Sequence, residues 1–114
     1  GFEFSGCFLG LGKFYKDKNI LVDPGFGFGK TAQQNLILLK NLSRFLELGK
    51  PILIGTSNKS FIGQTLGAKI HQRTLGTAAT VAIGILNGAS IVRVHDINNM
   101  KQVSKMVDAV LNVN

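Results

Sequence analysis

Residues 51–60 read PILIGTSNKS. Pro51 cannot continue a helix, and Ile52-Leu53-Ile54-Gly55 is an aliphatic run of the kind buried on both faces of a parallel sheet. The five polar residues that follow, Thr56-Ser57-Asn58-Lys59-Ser60, read as a loop. A strand buried along its length and chemically equipped at its tip is the pattern that decides the fold.

The pattern recurs on both sides. Upstream, Ile20-Leu21-Val22 predicts a strand followed by DPGFGFGKT at 23–31. Thr31-Ala32-Gln33-Gln34 then has the T-x-x-Q form of a capping box, which predicts a helix start. Leu36, Leu39, Leu42, Phe45 and Leu46 supply the apolar stripe of one helix that Gly49 and Pro51 end. Downstream, a helix is expected from about Arg73 to Leu86. Its small face, Gly76, Ala78, Ala79, Ala82 and Gly84, implies close packing against another element. Ser90 to Val94 forms a third strand. Asp96 is a candidate N-cap for a last helix with Ile97, Met100, Val103, Val107, Val110 and Leu111 on its apolar face. The order is βαβαβα, which implies right-handed crossovers and a parallel sheet, either open and doubly wound or part of a (β/α)₈ barrel. Residues 1–19, with glycines at 1, 6, 10 and 12 among phenylalanines, follow no period and stay unassigned. Residues 20–114 form the α/β part.

The glycine loop suggests a nucleotide cradle, but the letters reject it. A P-loop needs Gly five positions before Gly29, where the chain has Pro24, a residue without an N–H to donate. The dinucleotide fingerprint needs Gly where the chain has Lys30.

Composition bounds the function. The 114 residues are 45% hydrophobic and 17% charged, which is a globular balance with material for a modest core. One cysteine, Cys7, excludes an internal disulfide framework, favours a reducing compartment and reads as a small buried or idle thiol. The net charge of +7 favours anionic partners. The bases are dispersed and there is one tyrosine, so a nucleic-acid footprint is poorly supported, and small phosphorylated or carboxylated ligands fit the charge equally well. No apolar stretch approaches a membrane span and the start lacks a signal peptide's basic head, so a cytoplasmic location is expected. Two separated histidines, one cysteine and four scattered aspartates offer no metal-ligand spacing. No nucleophile has an evident base partner.

Polar residues collect at the strand tips: Asp23, then Ser57, Lys59 and Ser60, then Arg93 and His95. In both parallel architectures ligands bind along that rim. Each residue has a blander reading. Asp23 before Pro24 shapes a turn, and Lys59 is a solvated loop cation. Arg93 resists such a reading, because a guanidinium in Ile-Val-Arg-Val needs a partner. His95 points to the same side two residues on, so the pair forms a clamp for phosphate oxygens. His71 shows no relation to a strand end and is expected on the surface.

ILVDPGFGFGK, PILIGTSNKSFIG and GTAATVAIGILNGASIVRVHD resemble the last three βα units of the dihydropteroate synthase family, and the resemblance covers roughly residues 18 to 111. It implies the C-terminal portion of a TIM (β/α)₈ barrel. It also implies a transferase of folate biosynthesis that joins 4-aminobenzoate to a dihydropterin pyrophosphate and releases pyrophosphate. By resemblance Asp23, Gly55 and Lys59 bind the pterin, Phe28, Ser57 and Ser60 the aminobenzoate, and Arg93 and His95 the pyrophosphate. Lys59, Arg93 and His95 carry the catalysis. The resemblance implies Mg²⁺ as cofactor, with no ligand to it in this chain, and allows a homodimer. The chain departs from the family at Asn58, where the family usually has Arg, and in length, since a barrel takes about 250 residues. The expectation is therefore a C-terminal piece of a larger enzyme, or a disrupted copy, inactive alone. Two rivals remain open: a pterin-binding methyltransferase of the related barrel family, for which Arg93 and His95 have no leaving anion to hold, and a non-catalytic module that keeps the fold.

Overall fold

The computed structural model describes residues 21–114 and the strand Phe8–Gly10. In chain order the elements are β1 (Phe8–Gly10), α1 (Ala32–Lys40), β2 (Ile52–Ile54), α2 (Ser60–Leu66), α3 (Thr74–Leu86), β3 (Ala89–Arg93) and α4 (Ile97–Asn112). Short 3₁₀ segments at Leu42–Leu48 and Ile70–Gln72 connect them.

Strands β2 and β3 pair in parallel, with Leu53 beside Ile91 and Ile54 beside Val92. On the far side of β2, Val22 forms a parallel bridge to Ile52, its N–H donating to the Pro51 carbonyl at 2.8 Å. Three parallel segments in sequence order, each followed by helix, form a partial (β/α) barrel. All of Ile52–Ile54 is buried, as the unbroken aliphatic run required. The helices cover the sheet through Leu39, Leu42, Phe61, Ile62, Val81, Ile85 and Met100.

The small face of α3 does what its composition implied. A Cβ on Gly84 would collide with the Ile54 side chain, and one on Gly76 with Ile62, so the glycines let α3 lie directly on β2 and α2. Both local start signals hold. Thr31 and Gln34 complete their capping box, with Oγ1 accepting from the Gln34 N–H at 3.1 Å and Oε1 accepting from the Thr31 N–H at 2.9 Å. Asp96 caps α4 by accepting from the Asn99 N–H.

Four expectations need correction. The first strand is reduced to the bridge at Val22, and Ile20 lies outside the described residues, as does Cys7. The single helix expected up to Gly49 breaks at Asn41, whose side chain donates to the Ile37 carbonyl, and continues as a 3₁₀ segment. Leu39 and Leu42 are buried, whereas Leu36, in α1 ahead of the break, and Leu46, in the 3₁₀ segment after it, are exposed. The extra helix α2 starts at the last residue read as loop, Ser60, and fills part of the stretch before Arg73 to which the sequence reading assigns no element. Val110 and Leu111 are exposed, so the last turn of α4 extends past the core. From the unassigned segment, β1 pairs antiparallel with β3, Phe8 opposite Arg93, on the edge away from β2.

Candidate functional site

The site is built on the rim where β2 and β3 end. Arg93 is the last residue of β3, and its guanidinium lies over Gly55, just past β2. A Cβ at position 55 would stand 2.9 Å from Nη2 and 3.2 Å from Nε. Glycine is thus needed there for close approach. Gly55, Ser57, Lys59, Arg93, Val94 and His95 line one cavity of about 220 Å³. The sequence placed four of these six, Ser57, Lys59, Arg93 and His95, at strand tips and named Gly55 by resemblance, and the structure brings the five together. Ser60, by contrast, is exposed at the start of α2 and does not line the cavity.

Lys59 is the hub. Its Nζ donates to the Phe26 carbonyl at 2.7 Å and sits 4.9 Å from the centre of the Phe28 ring. Burial, and then the positive charges of Arg93 and Lys30, pull its pKa below the ordinary lysine value, while the carboxylate of Asp23 opposes them. The folded surroundings therefore disfavour the charged ammonium.

The glycine loop turns through left-handed backbone. Gly25, Gly27 and Gly29 all have positive φ, which L side chains seldom adopt. Its two phenylalanines divide the work. Phe26 is buried and stacks on Phe61 at 6.1 Å, anchoring the loop. Phe28 is 68% exposed and stands free beside Lys59. Lys30, the residue that suggested a phosphate grip, donates to the carbonyls of Gly25 and Phe28 and so is spent on the loop itself. Asp23 uses Oδ1 to accept from the Gly25 N–H at 2.9 Å, so the turn-shaping reading is correct for that oxygen.

Several supporting residues escaped the sequence reading. Asn35, buried in α1, accepts from the Gly27 N–H at 2.8 Å and donates to the Thr31 carbonyl at 2.9 Å, fastening the glycine loop to the helix. Arg73 Nη1 donates to the Asn58 carbonyl at 2.8 Å. Thr77 Oγ1 accepts from the Asn58 N–H at 3.0 Å, and Thr56 and Thr80 hydroxyls meet at 2.8 Å. The spacing 73, 77, 80 is a helical stripe, a signal obscured by the alanines and glycines around it. Asn58 adopts a φ of 55°, and its side-chain oxygen faces Thr77. His71 is exposed.

A Mg²⁺ site does not fit these residues. The cavity presents nitrogen cations, whereas the ion takes hard oxygen ligands. Among the described residues no group of three His, Cys, Asp or Glu side chains converges. No described helix is long and apolar enough to cross a membrane.

Parallel strands, a glycine turn, an exposed aromatic ring and a cavity bearing Lys59, Arg93 and His95 at the strand ends define the class of the chain as a partial (β/α) barrel with a cationic rim. The chain belongs to the pterin-binding enzyme family, whose model matches residues 14–95. It is 50% identical over 97 residues to the dihydropteroate synthase of Clostridium beijerinckii, covering 84% of this chain and 36% of that one. It is 48% identical over 96 residues to that of Bacillus subtilis, covering 84% and 34%. Among solved structures, Yersinia pestis dihydropteroate synthase superposes with a TM-score of 0.80 at 40% identity, over 82% of this chain and 44% of that one. A Clostridium difficile dihydropteroate synthase, solved in the presence of pteroic acid, gives 0.82 at 44% identity over 86% and 37%. The chain spans about a third of the length of the curated relatives it matches.

Proposed function

We propose that this chain forms the leaving-group and aminobenzoate side of a dihydropteroate synthase, which joins 4-aminobenzoate to a dihydropterin pyrophosphate. The observation that carries the reading is the convergence of Lys59, Arg93 and His95 on one cavity beside Gly55. The relative solved with pteroic acid supports it, since that molecule is a pterin joined to aminobenzoate.

The reaction asks little covalent work of the protein. The C–O bond to pyrophosphate breaks and its electron pair leaves with the diphosphate. The aniline nitrogen supplies the pair for the new C–N bond and then loses a proton. The methylene carbon gains positive character as the anion departs, so the catalytic task is to hold separating charge and two rings in line. Arg93 offers forked donors to the departing oxygens, and His95 one more. Lys59 lies between them and the ring of Phe28, where it serves both the pterin and the developing anion. Asp23 keeps one oxygen for the pterin's amino-pyrimidine edge, Gly55 borders the pterin while leaving the Arg93 guanidinium room beside it, and Phe28 packs on the aminobenzoate ring with Ser60 at its carboxylate. Mg²⁺ enters this reading by resemblance alone, and no step above uses it. A cytoplasmic location and a homodimer belong to the same reading; exposed Ile83, Leu86, Met106 and Val110 on α3 and α4 support the dimer.

The test is dihydropteroate formation by the full-length protein. Lys59→Ala and Arg93→Ala should each lower the rate by at least about tenfold, the size of one lost charge-assisted hydrogen bond. An active enzyme indifferent to both substitutions would refute the site.

A further inference from the structure

Ser57 is 6% exposed, and among the described residues its hydroxyl makes two hydrogen bonds, both to His95. The backbone N–H of His95 donates to Oγ at 3.1 Å, and Oγ lies 2.8 Å from ring Nδ1. A backbone N–H can only donate, so Oγ accepts there and retains one proton of its own. If Nδ1 also carried a proton, Oγ would accept twice, and the hydroxyl proton of this largely buried residue would be left without an acceptor among the described residues. That arrangement costs more than the alternative, in which Oγ–H donates to the lone pair of Nδ1 and every group is satisfied.

We infer that Ser57 is a positioning residue that fixes the His95 tautomer, placing the ring proton on Nε2. A neutral imidazole has one donor and one acceptor nitrogen, and the partner of the first decides what the second can do. With Nδ1 occupied as acceptor, Nε2–H is a hydrogen-bond donor on a ring that lines the same cavity as Lys59 and Arg93. The opposite tautomer would turn a bare lone pair toward any anion held there, adding repulsion in place of a bond. The Ser57–His95 pair also ties the loop after β2 to the end of β3, so ring orientation and loop position are set together. This assigns the Ser57 hydroxyl to His95 rather than to aminobenzoate. The consequence for pyrophosphate rests on the leaving-group reading above, whereas the tautomer does not.

The test is nitrogen NMR of the full chain labelled with ¹⁵N-histidine, the His95 ring being assigned by comparison with His71→Gln. The expected result is a protonated Nε2 and an unprotonated Nδ1, with that preference lost in Ser57→Ala and retained in Ser57→Thr. Calorimetric titration with pyrophosphate should show Ser57→Ala weakened by about threefold to tenfold, the size of one hydrogen bond, and Ser57→Thr restored toward the parent. A proton on Nδ1 in the parent protein would overturn the inference, even if no variant folded. So would an unchanged tautomer in a folded Ser57→Ala. Absence of pyrophosphate binding with the expected tautomer pattern would count against the leaving-group reading and leave the Ser57 assignment supported.

Discussion

Substituting Gly55 by alanine should separate the anion site from the stability of the fold. The new Cβ would stand 2.9 Å from Arg93 Nη2, 3.2 Å from Nε and 3.3 Å from Cζ. Ordinary contact begins near 3.5 Å, so the guanidinium must rise by about 0.6 Å. The end of an arginine side chain can do this cheaply, and Gly55 has no positive φ that an alanine would strain. Removing a glycine also reduces the freedom of the unfolded chain, by about 0.4–1 kcal/mol. Stability should therefore hold or rise slightly. Binding should not hold. A shift of that size carries a well-made N–H···O contact from about 2.9 Å to the edge of the hydrogen-bonding range. Losing one charge-assisted bond costs about 1.5–3 kcal/mol, or roughly 10-fold to 150-fold in affinity. Calorimetric titration with pyrophosphate, alongside thermal unfolding, measures both quantities on the same preparation. Undiminished binding in Gly55→Ala, together with its loss in Arg93→Ala, would refute the claim that Gly55 seats the guanidinium. A fall in stability of more than about 2 kcal/mol would refute the claim that the side chain can move freely, since costs of that size come from core overpacking.

The lowered pKa of Lys59 gives a signed pH dependence. The unfolded chain binds a proton there that the folded chain gives up, so stability rises as pH climbs through the folded pKa towards 10.5. The stability difference between Lys59→Met and the parent should shrink over that climb in denaturant titrations; a difference that stays flat or grows contradicts the cause assigned. Thr80 Oγ1 donates to the Thr77 carbonyl at 2.8 Å and must accept from Thr56. Thr56→Val and Thr80→Val should each cost about 1–3 kcal/mol, and the double variant should cost less than their sum by about 1 kcal/mol, with strict additivity as the contrary result. Asn35→Leu should cost about 1–3 kcal/mol and speed amide hydrogen exchange at Gly27; unchanged exchange would show that the loop does not depend on Asn35.

What the sequence revealed follows the range of the interactions. Capping at Thr31 and Asp96 was legible because donor and acceptor lie three residues apart. The packing of α3 was legible because its glycines make little sense in an exposed helix. Helix α2 was missed, since it has no side-chain cap and carries Gly63 within seven residues. The break at Asn41 was missed because the leucines that follow continue a helical spacing regardless of pitch. At the site, residues at strand tips could be seen because the architecture aims all strand ends at one rim. The bond between Ser57 and His95, 38 residues apart, could not, and neither could the role of Asn35, whose neighbours in α1 look equally helical. Phe26 and Phe28 sit two apart in one loop, and only packing tells the anchor from the free ring.

The departure at Asn58 gains a physical meaning from the same geometry. Where the resemblance leads one to expect an arginine, this chain has a residue that tolerates the left-handed backbone observed there, at φ 55°. Its N–H, side-chain oxygen and carbonyl are all held by the one stripe of α3, through Thr77 and Arg73. Thr80 holds Thr56 one turn further on. The loop that presents Lys59 is thus fixed residue by residue from behind, with Gly63 leaving room for the Arg73 guanidinium. An arginine at 58 could keep the backbone bonds but not the side-chain contact to Thr77. The substitution removes one cation from the rim and adds a tie at its base. On the dihydropteroate synthase reading proposed above, a site that holds departing charge gains more from fixed donors than from mobile ones, so the loss of that charge costs less than its size implies while Lys59, Arg93 and His95 stay in place.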